Sequence, residues 1–249
     1  MEINVETLQK LIDESNRIVF FGGAGVSTES GIKDFRSVDG LYNQTYDYPP
    51  EMMLSHTFYV RKKEEFYRFY KDKLLEKTVG TDTVERAVPN AAHKKLAELE
   101  RAGKLTAVIT QNIDGLHQEA GSKKVLELHG SVHRNYCEKC GKAFDVNYMF
   151  RAPGIPECDN CGGSIKPDVV LYEEGLDQKT ISESVRCIQE ADMLIIGGTS
   201  LVVYPAAGLI DYYRGNKLVL INLDATPKDD VADYVIHGKI GEIFSRITV

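Results

Sequence analysis

The chain has 249 residues, enough for one large domain or for one and a half of ordinary size. Its 43% hydrophobic and 27% charged content excludes a disordered or fibrous chain. With 37 acidic against 30 basic residues and a net charge of −7, it carries no footprint for nucleic acid or for an anionic membrane.

In chain order, Val5, Leu8, Leu11 and Ile12 recur at helical spacing, and the apolar run Ile18 to Phe21 then enters glycines. The stretch 34–60, with Tyr42, Tyr46, Tyr48, Pro49 and Pro50, reads as a loop or part of a second small module. Residues 55–77 are rich in Phe, Tyr and Lys at helical periodicity, and 90–102 predict a helix closing at Gly103. Leu105 to Ile109, Val125 to Leu128, Met193 to Ile196 and Leu218 to Ile221 read as short buried strands. A helix is expected between the last two, and another from Ile240. Apolar runs alternating with helices predict an α/β fold, a Rossmann-like doubly wound parallel sheet covered on both faces. The uncharged run Met193 to Ile210 is broken by Gly197, Gly198, Thr199, Ser200 and Pro205, so it does not read as a spanning helix. The opening residues lack the basic and then apolar pattern of a leader, and a cytoplasmic protein is expected.

Four of the five cysteines form Cys137-x-x-Cys140 and Cys158-x-x-Cys161. Two such knuckles offer four thiolates to one tetrahedral zinc ion, with Gly141, Gly162 and Gly163 supplying the tight turns. Four thiolates leave no open coordination position, so the ion is structural. The window, about 131–166, interrupts the βα alternation as an inserted small zinc-ribbon domain. Cys187 stands alone at a helical position and reads as a small buried hydrophobe.

Three turns lie at the carboxyl ends of predicted strands, where doubly wound sheets bind ligands. Gly22-Gly23-Ala24-Gly25-Val26-Ser27-Thr28 follows the first strand and suits the approach of a phosphate to backbone N–H groups at a helix start. Gly198-Thr199-Ser200 and Asn222 close two others. Together they point to a dinucleotide. The polar run Thr110-Gln111-Asn112-Ile113-Asp114-Gly115-Leu116-His117 and the pair His129-Gly130 add groups for proton transfer on a polar substrate.

In this order, the segments GAGVSTESGIKDFRS, TQNIDGLH, LELHGSV, the paired CxxC motifs, GTSLVVYPA and LINLD resemble the sirtuins, NAD-dependent protein lysine deacylases. The likeness runs from Ile18 to Ile240, and the lack of long terminal extensions resembles the compact bacterial and archaeal members. The resemblance implies a division into an NAD-binding large domain (about 1–34, 80–130 and 167–249), the zinc module, and a cofactor loop with helical segment (about 35–79). It implies that Gly23, Ala24 and Gly25 cradle the pyrophosphate beside Thr28, with Phe35 and Arg36 over the nicotinamide ribose. It implies Gln111 on ribose hydroxyls and a carboxamide pocket of Asn112, Ile113 and Asp114. Thr199, Ser200 and Asn222 would hold the adenosine half, with Ile240 against the adenine. His129 would be the general base, also touching the cofactor. The substrate would be an acetylated protein lysine, its chain lying as an added strand between Val169 to Tyr172 and Val202 to Tyr204. The products implied are lysine, nicotinamide and 2′-O-acyl-ADP-ribose. No nucleic-acid or membrane partner is expected, and no oligomer is predicted.

Three departures from the family pattern stand out. Lys33 replaces a proline in Gly31-Ile32-Lys33-Asp34-Phe35-Arg36, which removes some rigidity from the loop. Tyr172-Glu173-Glu174 stands for Phe-Gly-Glu in the peptide groove. Succinyl-preferring members carry Tyr-x-x-Arg, and here the matching positions are Tyr67 and Tyr70. Rival readings are a Rossmann-type NAD-dependent oxidoreductase, a zinc-ribbon nucleic-acid module and, within the family, a mono-ADP-ribosyltransferase or a long-chain deacylase.

Overall fold

A computed structural model describes residues 1–35, 40–41 and 46–249. The first helix, α1 (Val5–Asp13), starts where Asn4 accepts the Thr7 N–H at 3.0 Å and buries Val5, Leu8, Leu11 and Ile12. It leads into β1 (Ile18–Gly22), and then come α2 (Pro50–Met53), α3 (His56–Arg61), α4 (Lys63–Tyr70) and α5 (Glu76–Val79). The helical expectation for 55–77 is met in pieces. Lys62, at φ −136° and ψ 54°, separates α3 from α4, and a π-turn spans Lys71–Leu75. Next come α6 (Ala91–Arg101), β2 (Leu105–Thr110), α7 (Leu116–Glu119) and β3 (Val125–Glu127). The zinc window holds β4 (Gly130–Cys137), β5 (Ala143–Phe144), α8 (Val146–Arg151) and β6 (Ile165–Val169). Then follow α9 (Gln178–Glu190), β7 (Met193–Gly197), β8 (Leu218–Asn222), β9 (Tyr234–His237) and α10 (Ile240–Ser245). Between β7 and β8 the expected helix is a 3-10 helix over Ala206–Tyr212.

Six strands form a parallel sheet in the order β3-β2-β1-β7-β8-β9. The chain winds outward from β1 through β2 to β3, then returns to the other side of β1 and winds outward again. The two halves diverge at β1 and β7, a topological switch point with a crevice at the strands' carboxyl ends. The register sets Gly22 of β1 against Gly197 of β7 and Thr110 of β2. Alternate residues feed opposite faces. Ile18, Phe20, Met193, Ile195, Val219 and Ile221 pack with α1, α6 and α10 residues. Val19, Phe21, Leu194, Ile196, Leu218 and Leu220 pack with residues of α9 and the 3-10 helix. Strand β9 escaped the sequence reading because Tyr234–His237 is short and carries a half-buried tyrosine and an exposed histidine at its ends.

A second, antiparallel sheet has the order β5-β4-β6. Its buried side joins Phe58, Tyr59, Phe66, Tyr67, Phe69 and Tyr70 of α3 and α4 to Val132, Phe144, Met149 and Ile165. The zinc window and the aromatic helices therefore share one core.

Candidate functional site

The crevice is assembled by close backbone approach. Gly25 donates its N–H to the Gly198 carbonyl at 2.8 Å, and a Cβ on Gly25 would lie 2.8 Å from the Gly198 Cα. Gly23, Val26 and Ser27 also donate their N–H groups internally, to Gly197, Gly23 and Ala24. After β1 the chain makes two 3-10 turns, Ala24–Val26 and Thr28–Ser30, where an α-helix start was expected. Most N–H groups of this turn are thus spent, and its glycines serve first to seat one loop against the other. The Thr28 hydroxyl donates to the Gly25 carbonyl at 3.0 Å.

Gln111, Thr199 and Asn222 meet across three strand ends. Gln111 Nε2 donates to Thr199 Oγ1 at 3.1 Å. The Thr199 N–H donates to Asn222 Oδ1 at 2.9 Å, and Asn222 Nδ2 returns a bond to the Thr199 carbonyl at 3.0 Å. Ser200, beside them, is exposed. Ile240 is only 4% exposed and belongs to the core; a Cβ on Gly197 would come within 2.3 Å of its Cδ1. The next residue's N–H, on Gly241, is held by Glu29 Oε2 at 2.6 Å. Phe35 is half-buried against the aromatic core of the second sheet. Arg36 and Tyr42 lie outside the described residues.

The polar run after β2 makes a second cluster. Ser27, 1% exposed, donates its hydroxyl to Asp114 Oδ2 at 2.7 Å and accepts from Asn112 Nδ2 at 3.0 Å. Asp114 Oδ1 accepts the Leu116 N–H at 2.9 Å. Burial pushes the Asp114 carboxyl up, while the Leu116 N–H and the Ser27 hydroxyl oppose the shift. Ile113, half-buried between these groups, packs on the aromatic core. Ser27 was not among the sequence-predicted site residues. Its signal was its place two residues beyond Gly25, on the turn that faces the end of β2.

His129 follows β3, and its Nδ1 lies 3.0 Å from the Gln111 carbonyl oxygen. A carbonyl only accepts, so Nδ1 carries the proton of the neutral ring and Nε2 keeps its lone pair. Burial lowers the His129 pKa below the usual histidine value, with the Gln111 carbonyl pulling the other way. At neutral pH the ring is therefore a free base. Gly130, at φ +74°, lets the chain cross β6, since a Cβ there would sit 1.9 Å from the Asp168 carbonyl oxygen.

The sulfurs of Cys137, Cys140, Cys158 and Cys161 all lie within 4.8 Å of one another, with Cys137–Cys161 at 3.5 Å and Cys140–Cys158 at 3.6 Å. Zinc–sulfur bonds of about 2.3 Å place tetrahedral thiolates about 3.8 Å apart. The four cysteines fit one structural zinc ion. Cys187 lies elsewhere, on the buried face of α9 that packs on the parallel sheet.

The expected peptide walls are uneven. Tyr172 donates its N–H to the Leu54 carbonyl at 3.0 Å and accepts the His56 N–H at 2.9 Å, and the Leu171 N–H is taken by Glu174 Oε2 at 2.9 Å. On the other expected wall, Val202 and Tyr204 are 49% and 64% exposed.

The model of the Sir2 family matches residues 23–205. A Clostridium acetobutylicum protein named NAD-dependent protein deacetylase is 58% identical over 98% of this chain and 97% of its own length. The chain belongs to the Sir2 family. A Staphylococcus aureus protein of the same name is 46% identical, with 99% of each chain covered. Among solved structures, a Sir2 complex with p53 peptide and NAD+ superposes with a TM-score of 0.83 at 39% identity, covering 98% of this chain and 97% of that one. A Sir2 bound to acetylated peptide does so with a TM-score of 0.83 at 38% identity and the same coverage. Among the described residues, no helix is long and apolar enough to cross a membrane.

Proposed function

We propose that this Sir2-family chain is an NAD-dependent protein lysine deacetylase and that His129 is its general base. NAD supplies, when bound, a ribose carbon made electrophilic by the departure of nicotinamide. The chain's part is to hold, orient and move protons. Gln111, Thr199 and Asn222 are already wired to one another, so they present ribose and adenosine hydroxyls with donors and acceptors in fixed directions. Gly23 to Gly25 and Thr28 serve the phosphate side, Ser200 joins Thr199 and Asn222 at the adenosine half, and Phe35 serves the reacting ribose. Asn112, Ile113 and Asp114, tied by Ser27, form a polar pocket suited to a carboxamide. His129 takes a ribose hydroxyl proton on Nε2. The acetyl-lysine chain lies in extended form between Val169 to Tyr172 and Val202 to Tyr204, with zinc confined to holding the small unit.

The observation that carries this reading is the His129 ring. Its Nδ1–H is committed to Gln111, which leaves a directed base beside the carboxamide pocket. The test incubates the protein with NAD and an acetyl-lysine peptide and follows the products by mass spectrometry. Free lysine peptide, nicotinamide and O-acetyl-ADP-ribose are expected. Absorbance of reduced cofactor without nicotinamide release would establish an oxidoreductase instead, and an ADP-ribosyl adduct on protein would establish a transferase. Cell fractionation is expected to place the protein in the cytoplasm.

A further inference from the structure

Two non-glycine residues among those described adopt positive φ, Glu173 at 75° and Leu201 at 54°. They sit beside the two segments expected to flank the acyl-peptide, Val169 to Tyr172 and Val202 to Tyr204. Such backbone is kept only where its surroundings over-determine it, and it gathers at functional sites. Leu201 is buried in the sheet-side core, and its N–H reaches Thr199 Oγ1 at 3.2 Å. Glu173 is exposed, so no packing holds it.

What holds Glu173 is the first turn of α3. Its Oε2 accepts the Thr57 N–H at 2.9 Å and the Thr57 hydroxyl at 2.6 Å. The Thr57 N–H is one of the donors that a helix start leaves unpaired. Ser55 Oγ caps a second, on Phe58, at 3.2 Å. Around this bond the wall is pinned repeatedly. Tyr172 and Ser55 form a parallel bridge, and Glu174 reaches His56 Nδ1 at 2.8 Å and Lys166 Nζ at 3.2 Å. Of these ties, the Glu173 bond alone is made by a residue whose own backbone is strained. A residue in that conformation without a compensating partner would be free to relax and take the wall with it.

We propose that Glu173 is a positioning residue for peptide binding. Its carboxylate latches the groove wall at 171–174 to the start of α3, and so fixes the backbone edge that faces the acyl-lysine chain. This rests on the deacetylase reading and adds to it a residue that touches neither NAD nor the reacting atoms.

The test measures kcat and KM for an acetyl-lysine peptide, KM for NAD and thermal stability in the wild-type protein and in Glu173→Ala, Glu173→Gln and Thr57→Val. Glu173→Ala loses the latch, which leaves the backbone at 173 free to relax. Its peptide KM should rise roughly tenfold, with kcat and the KM for NAD within about twofold of wild type. Glu173→Gln keeps an acceptor oxygen and should restore most of the affinity. Thr57→Val keeps the helix N–H and loses only the hydroxyl, so a KM increase of about two- to threefold is expected, and it reports even if Glu173→Ala folds poorly. A purely architectural role would lower stability and all kinetic constants together, without rescue by glutamine. Wild-type turnover combined with an unchanged peptide KM in both Glu173→Ala and Thr57→Val would overturn the latch alone. A wild-type protein that leaves the acetylated peptide intact would overturn the deacetylase reading, and the latch with it.

Discussion

In the parallel sheet every residue of β1, β7 and β8 is buried, and apolar clusters cover both faces. In the antiparallel sheet β5 has two residues, and β4 has only four of its eight residues buried. Two of the four metal-ligand cysteines, Cys137 and Cys158, are counted in that core. The large sheet can be held by transfer of apolar surface alone. The small sheet is too short for that and draws on a metal ion and on a packed set of aromatic rings, such as Tyr59 and Phe66 with centroids 5.1 Å apart. The chemistry divides in the same way. Under the proposed function, NAD would meet groups on the strand ends, while the acyl-lysine side would lean on the unit that needs the ion.

The sharpest way to break this division is to remove the ion. A structural zinc contributes on the order of 10 kcal/mol to the folding of the unit that binds it. Treatment with a strong chelator, or Cys158→Ser, should unfold the small unit and abolish deacetylation while the helical signal of the parallel sheet domain survives. NAD binding, followed by calorimetry, should weaken much less than peptide binding. Equal loss of both would mean that the two regions fold as one.

A substitution on the sheet side should do the reverse. His129→Ala is expected to lower turnover about 10²–10⁴-fold, the usual cost of losing a general base. Zinc content, thermal midpoint and peptide affinity should stay near wild type. Retained turnover would remove His129 from the mechanism.

The acyl pocket tests the small unit's chemistry at a lower magnitude. Tyr67 spends its hydroxyl on the Ile165 carbonyl, and Tyr70 is wholly buried, with burial holding its hydroxyl well above the usual tyrosine range. Tyr67 therefore has no hydroxyl proton left to give an acyl group. Arg68 is exposed on the other side of α4. The other cation of α4, Lys63, is paired with Glu138 at 3.0 Å, so a succinyl carboxylate in this setting is offered no unpaired cation by the described residues of α4. With a few kcal/mol for a poorly compensated charge, kcat/KM for an acetyl-lysine peptide should exceed that for its succinyl counterpart by about 10²-fold. Comparable rates would show that a cation from elsewhere reaches the pocket.

How legible each region was follows from its physics. Buried parallel strands are continuous apolar runs, so Ile18 to Phe21 and Met193 to Ile196 announced themselves, as did the turns at their ends. The paired CxxC spacing fixes a metal site by itself. The Ser27 bridge was hidden because a serine in a glycine turn has many uses, and only the fold brings it to Asp114. The joint core of 53–75 with the zinc window was hidden for a similar reason. Aromatic residues at helical spacing say that a face is buried, but not against what. Likewise the spacing of Gly23 and Gly25 signals close approach without saying whether the partner is a phosphate or, as for Gly25, the Gly198 backbone.

The sheet side has its own dependence, on neutral imidazole. His93 on α6 and His117 on α7 are fully buried, with ring centroids 4.7 Å apart, and His117 packs against Phe20. Burial lowers both pKa values, that of His93 to about 4 from an ordinary 6.5, and His117 is lowered further by its neighbour. The unfolded chain takes up protons below about pH 6.5 that the folded chain refuses. Stability from these residues is therefore complete above that pH and falls as the pH drops toward about 4, the folded value for His93. A single fully shifted histidine contributes a slope of about 1.4 kcal/mol per pH unit in that window. His93→Gln isolates the effect. His93 Nδ1 accepts the Asn90 N–H at 3.3 Å in a capping box, and glutamine at that position can still accept it. Urea midpoints at pH 7, 6 and 5 should fall more steeply for the wild type than for the variant, while zinc content stays constant across the series. Parallel slopes would mean that His93 is protonated in the folded state or that its site admits water, and the acid sensitivity would then belong to the small unit and its thiolates.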